Sequence, residues 1–159
     1  MNGASSNVII RPAQPGDENR ILGCLAAAFE PYRGAYTADA FTDTTLTAAS
    51  LAVRLREMHV LVAVTQERVV GTIAGSSQGR EGHLRGMAVL PACRGTGLAS
   101  RLLHAAEERL KTNGCSRITL DTTLPLKAAT KFYEKNGYRR SGRVADFFGM
   151  PLVEYVKEL

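Results

Sequence analysis

Two periodicities run through the chain. Residues 8–11 are a short apolar run stopped by Pro12 and then Pro15-Gly16, which predicts an opening strand. Asp17 stands where an N-cap would. Ile21, Leu22, Leu25 and Phe29 follow at helical spacing, and Pro31 closes that helix. Residues 31–45 read as an irregular or partly helical link, and a second helix is expected over residues 46–58. Two β-branched runs, residues 60–64 and 69–74, flank Thr65-Gln66-Glu67-Arg68 and predict a hairpin. Residues 75–82 read as a loop or strand end.

The second half is organised around residues 83–106, HLRGMAVLPACRGTGLASRLLHAA. Residues 83–89 alternate and then turn apolar, which predicts a strand ended by Pro91. Leu98, Leu102, Leu103, Ala106 and Leu110 share one face of a helix beginning near Gly97 or Leu98 and ended by Asn113-Gly114. Residues 117–121 predict a strand with Ile118 and Leu120 facing one way, Thr119 and Asp121 the other. A helix over residues 126–135 and strands over 138–144 and 152–157 complete the order β-α-α-β-β-β-α-β-α-β-β. Hairpins at the middle and the end make this a mixed, partly antiparallel α/β sheet.

Composition narrows the class. At 159 residues and 45% hydrophobic content, one globular domain over residues 1–159 is expected. No run reaches the ~18 apolar residues of a membrane helix. The polar start MNGASSN has no apolar leader segment. Cys24, Cys93 and Cys115 form no Cys-x-x-Cys pair, so neither a disulfide framework nor a metal site is suggested, and a cytoplasmic location is the default. The net charge of +5 lies wholly in residues 81–159, with 13 basic against 8 acidic residues there. No aromatic-interleaved basic stripe accompanies it, so a phosphate-rich small ligand is the simpler reading and nucleic acid is not expected.

The turn Arg94-Gly95-Thr96-Gly97 carries that reading. A helix N-terminus leaves four N–H groups unpartnered at the positive end of the dipole, and glycines let an anion approach the backbone closely. Arg94 adds a charged fork. A bare strand-to-helix turn is the alternative. The pattern Arg-x-x-Gly-x-Ala, carried by Arg94, Gly97 and Ala99 after a strand ending Val-Leu-Pro, resembles the acetyl-coenzyme A signature of the GCN5-related N-acetyltransferase family. Phe132-Tyr133-Glu134-Lys135-Asn136-Gly137-Tyr138 resembles that family's second aromatic motif, in the same order and separation.

The resemblance implies a mainly antiparallel sheet of about six to seven strands flanked by about four helices. It also implies acetyl-coenzyme A as cofactor, direct acetyl transfer to a primary amine in a ternary complex, and a possible homodimer. Acyl transfer to an amine needs a neutral nucleophile, a stabilised oxyanion and a protonated leaving thiolate. At the family's acid position stands Tyr133, whose hydroxyl could protonate the thiolate; the resemblance places the oxyanion and pantetheine arm against the backbone of Met87, Ala88 and Val89. The diphosphate would take N–H groups of Arg94, Gly95, Thr96, Gly97, Leu98 and Ala99, with the Thr96 hydroxyl and Lys131 or Lys135 as further contacts. Glu81, His83 or an ordered water is the general base. Leu126 stands where the family often has Asn, and Asp121 or Thr122 could compensate. The acceptor pocket falls to Tyr32, Tyr36, Asp39, Phe41 and Asp43, facing Asp146, Phe147 and Phe148. These acids and aromatics suit a cationic amine.

Two rival classes remain at this stage. A dinucleotide-binding oxidoreductase would use Gly95-x-Gly97 and Asp121, but Ser100 replaces the third glycine and only 38 residues follow Asp121. A non-catalytic acyl-coenzyme A sensor would use the same fold without turnover.

Overall fold

In the computed structural model, which describes residues 7–159, the chain runs β1 (Ile9–Pro12), α1 (Glu18–Phe29), a 3-10 helix (Glu30–Ala35), α2 (Ala38–Thr45), α3 (Ala48–Glu57), β2 (His59–Thr65), β3 (Arg68–Gln78) and β4 (Glu81–Val89). A 3-10 turn (Pro91–Cys93), α4 (Leu98–Thr112), β5 (Arg117–Thr123), α5 (Lys127–Lys135), β6 (Arg139–Phe147) and β7 (Met150–Glu158) follow. Residues 1–6 of the polar start lie outside the described residues. Among the described residues no helix is long and apolar enough to cross a membrane.

The strands form one seven-stranded sheet in the order β1-β2-β3-β4-β5-β7-β6. Every pairing is antiparallel except β4 with β5. That parallel pairing covers only Glu81 to Leu84 against Arg117 to Leu120. Past Leu84 the two strands part, so the β5-facing backbone groups of β4 have no strand partner there. A bulge lies just beyond: Thr72 pairs with Ala88 but Ala74 with Arg85, and Gly86 takes φ 67°. One extra residue on β4 sharpens the local bend and opens the wedge.

Helices cover both faces. On one, Leu102, Leu103, Ala106 and Leu110 of α4 pack on Ile73, Leu84, Ile118 and Leu120. On the other, Ile21, Cys24 and Leu25 of α1 and Leu51 of α3 pack on Val60, Val62 and Ala74. Each leucine so buried contributes about 2 kcal/mol of transfer free energy.

Several expectations are corrected. The stretch after α1 is helical almost throughout. The helix expected over residues 46–58 begins instead at Ala48, because Leu46 has φ 67° and ends α2. Thr47 and Ser50 then form a reciprocal capping box that restarts the chain as α3. Asp17 heads α1 but makes no side-chain cap; its carboxylate accepts from Arg11 Nη1 at 2.8 Å and from the Gln14 N–H at 2.8 Å. Residues 75–78 belong to β3. Two glycines under α4, one on β3 and one on β4, are a packing feature: a Cβ on Gly71 would lie 2.7 Å from Leu102 Cδ1, and one on Gly82 2.8 Å from Leu110 Cδ1. They give α4 a groove. The last hairpin is tight, closed by Phe148 (φ 51°) and Gly149 (φ 90°).

Candidate functional site

The wedge between β4 and β5 opens into a cavity of about 540 Å³. One end is the helix-opening turn after β4. Gly95 (φ 79°) and Gly97 (φ 84°) are left-handed, and nothing lies within 4 Å of a Cβ built on either. Among the described residues, none of the backbone N–H groups of residues 95–100 has a protein acceptor. Six convergent donors at the positive end of the 15-residue α4 are an open anion seat.

Its neighbours are already engaged. The Arg94 N–H donates to Pro91 O at 3.3 Å, and its guanidinium reaches Ala28 O at 3.3 Å. The Thr96 hydroxyl donates to Cys93 O at 2.6 Å, so it braces the turn and is not available as a donor to a phosphate. Arg94 therefore contributes its side chain at this wall but not its amide. Leu98 is buried and offers only its N–H. Lys131 is exposed on α5 away from the cavity.

The middle of the cavity is walled by Met87, Ala88 and Val89 of β4 and by Tyr133 of α5. The Tyr133 hydroxyl donates to Met87 Sδ at 3.6 Å. Its ring packs against Phe132 and Tyr138, with centroids 5.6 and 6.0 Å away. Burial pushes the phenol up to about 12, so it holds its proton at neutral pH.

Asp121 lies on the wall with its carboxylate toward the α1–α3 face, as the alternation along β5 predicts. His83 stands behind it: Nε2 is 3.6 Å from Asp121 Oδ2, and Nδ1 is 2.8 Å from Thr119 Oγ1. Burial lowers the His83 pKa more than the nearby Asp121 raises it, and burial raises the Asp121 pKa. His83 thus does not touch the cavity directly. Glu81 is exposed, 3.5 Å from Arg117 Nε, and lies off the cavity altogether.

At the far end, Tyr32, Tyr36 and Phe147 line the wall. Tyr36 crosses to β5, its hydroxyl 2.6 Å from Thr123 Oγ1. Thr37 donates to Phe148 O at 2.8 Å, tying α2 to the last hairpin. Phe41 is buried behind Tyr36, edge-on at 6.2 Å with the Arg33 guanidinium 4.3 Å from its ring, and does not reach the wall. Asp39, Asp146 and Phe148 also lie off the cavity. Asp43 is on the wall, and Arg54 and Arg85 stand there in place of the others. The two arginines escaped the reading of motifs, although Arg54 sits on the apolar stripe of Leu51, Leu55 and Met58, where a charge needs a reason.

A splayed parallel strand pair facing an open amide turn in a mixed seven-stranded sheet defines a class. The acetyltransferase (GNAT) family model matches residues 21–138, and the chain belongs to that family. Among curated proteins, N-acetylaspartate synthetase of Danio rerio is 39% identical over 88 residues, 54% of this chain. That match spans only 31% of the relative's own length. The PaiA N-acetyltransferase of Thermoplasma acidophilum, solved in complex with coenzyme A, superposes with TM-score 0.79 at 18% identity over 96% of this chain and 99% of that one. An aminoglycoside 6′-acetyltransferase type Ii superposes with TM-score 0.74 at 22% identity over 94% and 96%. At these identities the likeness is one of fold.

Proposed function

We propose that this chain is a single acetyltransferase domain that moves an acetyl group from acetyl-coenzyme A to a primary amine by direct attack. One observation carries the reading: the unpartnered amides of residues 95–100 and the Tyr133 hydroxyl open on the same cavity, on either side of the parted strands. The donor set fits the cofactor, since six N–H groups and the Arg94 fork match a diphosphate in charge and shape. The relative named for N-acetylaspartate supports an amine as acceptor.

Bound acetyl-coenzyme A would supply an acyl group activated as a thioester. The open β4 backbone beyond Leu84 orients the arm and offers N–H groups to the oxygen on which charge develops. Asp121, backed by His83, takes the proton of the acceptor ammonium so that a neutral amine attacks. Tyr133 delivers its proton to the departing sulfur. The apolar surroundings that hold the phenol protonated also raise the proton affinity of a thiolate leaving beside it, which keeps that transfer matched. The new amide nitrogen sheds its second proton to solvent and Tyr133 regains one from solvent, which closes the cycle. The net change is one amide formed, one thioester broken and one proton released.

Calorimetry with acetyl-coenzyme A and thiol release in the presence of amines test this. Binding with turnover supports an enzyme, binding without turnover on any amine points to a sensor, and no binding overturns the reading.

A further inference from the structure

We infer that the amine acceptor also carries a carboxylate, held by Arg54 of α3 and Arg85 of β4 at the far end of the cavity. This rests on the acetyl-transfer reading above and names the substrate class of that site.

Arg54 occupies an apolar face, yet its guanidinium lies on the cavity wall beside the β4 bulge. A Cβ on Gly86 would run into Arg54 Nη1, so the bulge and the guanidinium fit only because residue 86 has no side chain. Among the described residues, no hydrogen bond or ion pair engages the Arg54 guanidinium. Arg85 has only Asp43, at 3.9 Å, a distance at which little attraction survives half-exposed surroundings. Two guanidiniums therefore face the cavity with one carboxylate between them. The field they make is positive: burial and the neighbouring Arg85 push the Arg54 pKa down to about 10, against a smaller opposing pull from Asp43. The wall's other carboxylate, Asp121, is paired with His83, and Arg94 belongs to the opposite end.

A half-buried guanidinium without an acceptor is unfavourable, and removing water around it makes it more so. A planar carboxylate satisfies it through two parallel N–H bonds, which an ammonium cannot do. A doubly cationic amine would meet like charge here. Tyr32, Tyr36 and Phe147 enclose the remaining wall and suit the short apolar stem between the two ends of an amino acid. The expectation of a pocket suited to a cationic amine is thus narrowed to a zwitterionic or acidic amine.

The test titrates L-aspartate, L-glutamate, L-asparagine and putrescine into the coenzyme A-loaded protein by calorimetry, after coenzyme A binding to the wild type has been measured separately. The amino acids should bind and putrescine should not. Arg54→Met and Arg85→Gln should each weaken amino-acid binding roughly tenfold to a hundredfold while leaving coenzyme A affinity within about twofold. Arg54→Lys should recover part of the loss. Putrescine binding in preference, no amino-acid binding, or amino-acid binding indifferent to both substitutions would overturn the inference. Unchanged coenzyme A affinity shows that each variant is folded. Absence of coenzyme A binding in the wild type sinks the parent reading instead.

Discussion

The Tyr133 hydroxyl rests 3.6 Å from Met87 Sδ, joining α5 to β4 across the point where β4 leaves β5. The contact holds the phenol toward the cavity without engaging it in a strong hydrogen bond, which leaves the proton available. Tyr133→Phe should lower kcat about a hundredfold, in the range of a single general acid. The KM for acetyl-coenzyme A and the melting temperature should stay nearly unchanged. Steady-state kinetics with a thermal melt separate this from a packing role, which would move stability and spare the rate.

Gly97 tests the anion seat. A Cβ there meets no atom within 4 Å, so Gly97→Ala loses stability only through its left-handed φ of 84°, about 1 kcal/mol. In the complex the added methyl would crowd a phosphate against the amides. Coenzyme A affinity should fall about tenfold or more by calorimetry. An affinity equal to wild type would place the diphosphate elsewhere.

The Asp121–His83 pair sets the pH profile. Burial raises the carboxylate above its ordinary value and lowers the imidazole below its own, and at 3.6 Å the two titrate as a unit. Rate should rise with pH as the pair sheds its protons and be flat above that transition. In Asp121→Asn that limb should disappear and kcat should drop about a hundredfold. A limb that survives in Asp121→Asn would assign proton removal to water.

Asp17 carries stability. It is 3% exposed and accepts two bonds from Arg11 and one from the Gln14 N–H. Arg11 holds its carboxyl below the ordinary value of about 3.9. The stabilisation is therefore complete above that value and is lost as pH falls through the lowered one. Asp17→Asn should cost about 2 kcal/mol at neutral pH, less than a fully buried pair because Arg11 is partly exposed. Urea unfolding at pH 7 and at pH 3 should show that gap closing in acid.

Much of the site was readable before folding. The Arg94-Gly95-Thr96-Gly97 turn and the segment around Tyr133 are local motifs, since one backbone conformation or one helix face defines each. The strands and the other helices followed from their periods, apart from α2, which fell in the stretch read as an irregular or partly helical link, and the boundaries at Leu46 and Gly75. There the deciding facts were a positive φ at Leu46 and the antiparallel pairing of residues 75–78 with β4. Glu81 and Phe41 were misplaced because strand parity and burial depend on neighbours that no local window contains.

By itself the sequence determined the order of the strands and of every α-helix but α2, the amide-rich turn after Pro91 and the aromatic helix that follows, because each depends on residues close together in the chain. Only the tertiary structure decided where β4 and β5 part, which side chains reach the cavity between them, and that Arg54 meets Gly86 beside Arg85. Those relations depend on hydrogen-bond registers and packing between segments tens of residues apart, and neither leaves a period along the chain.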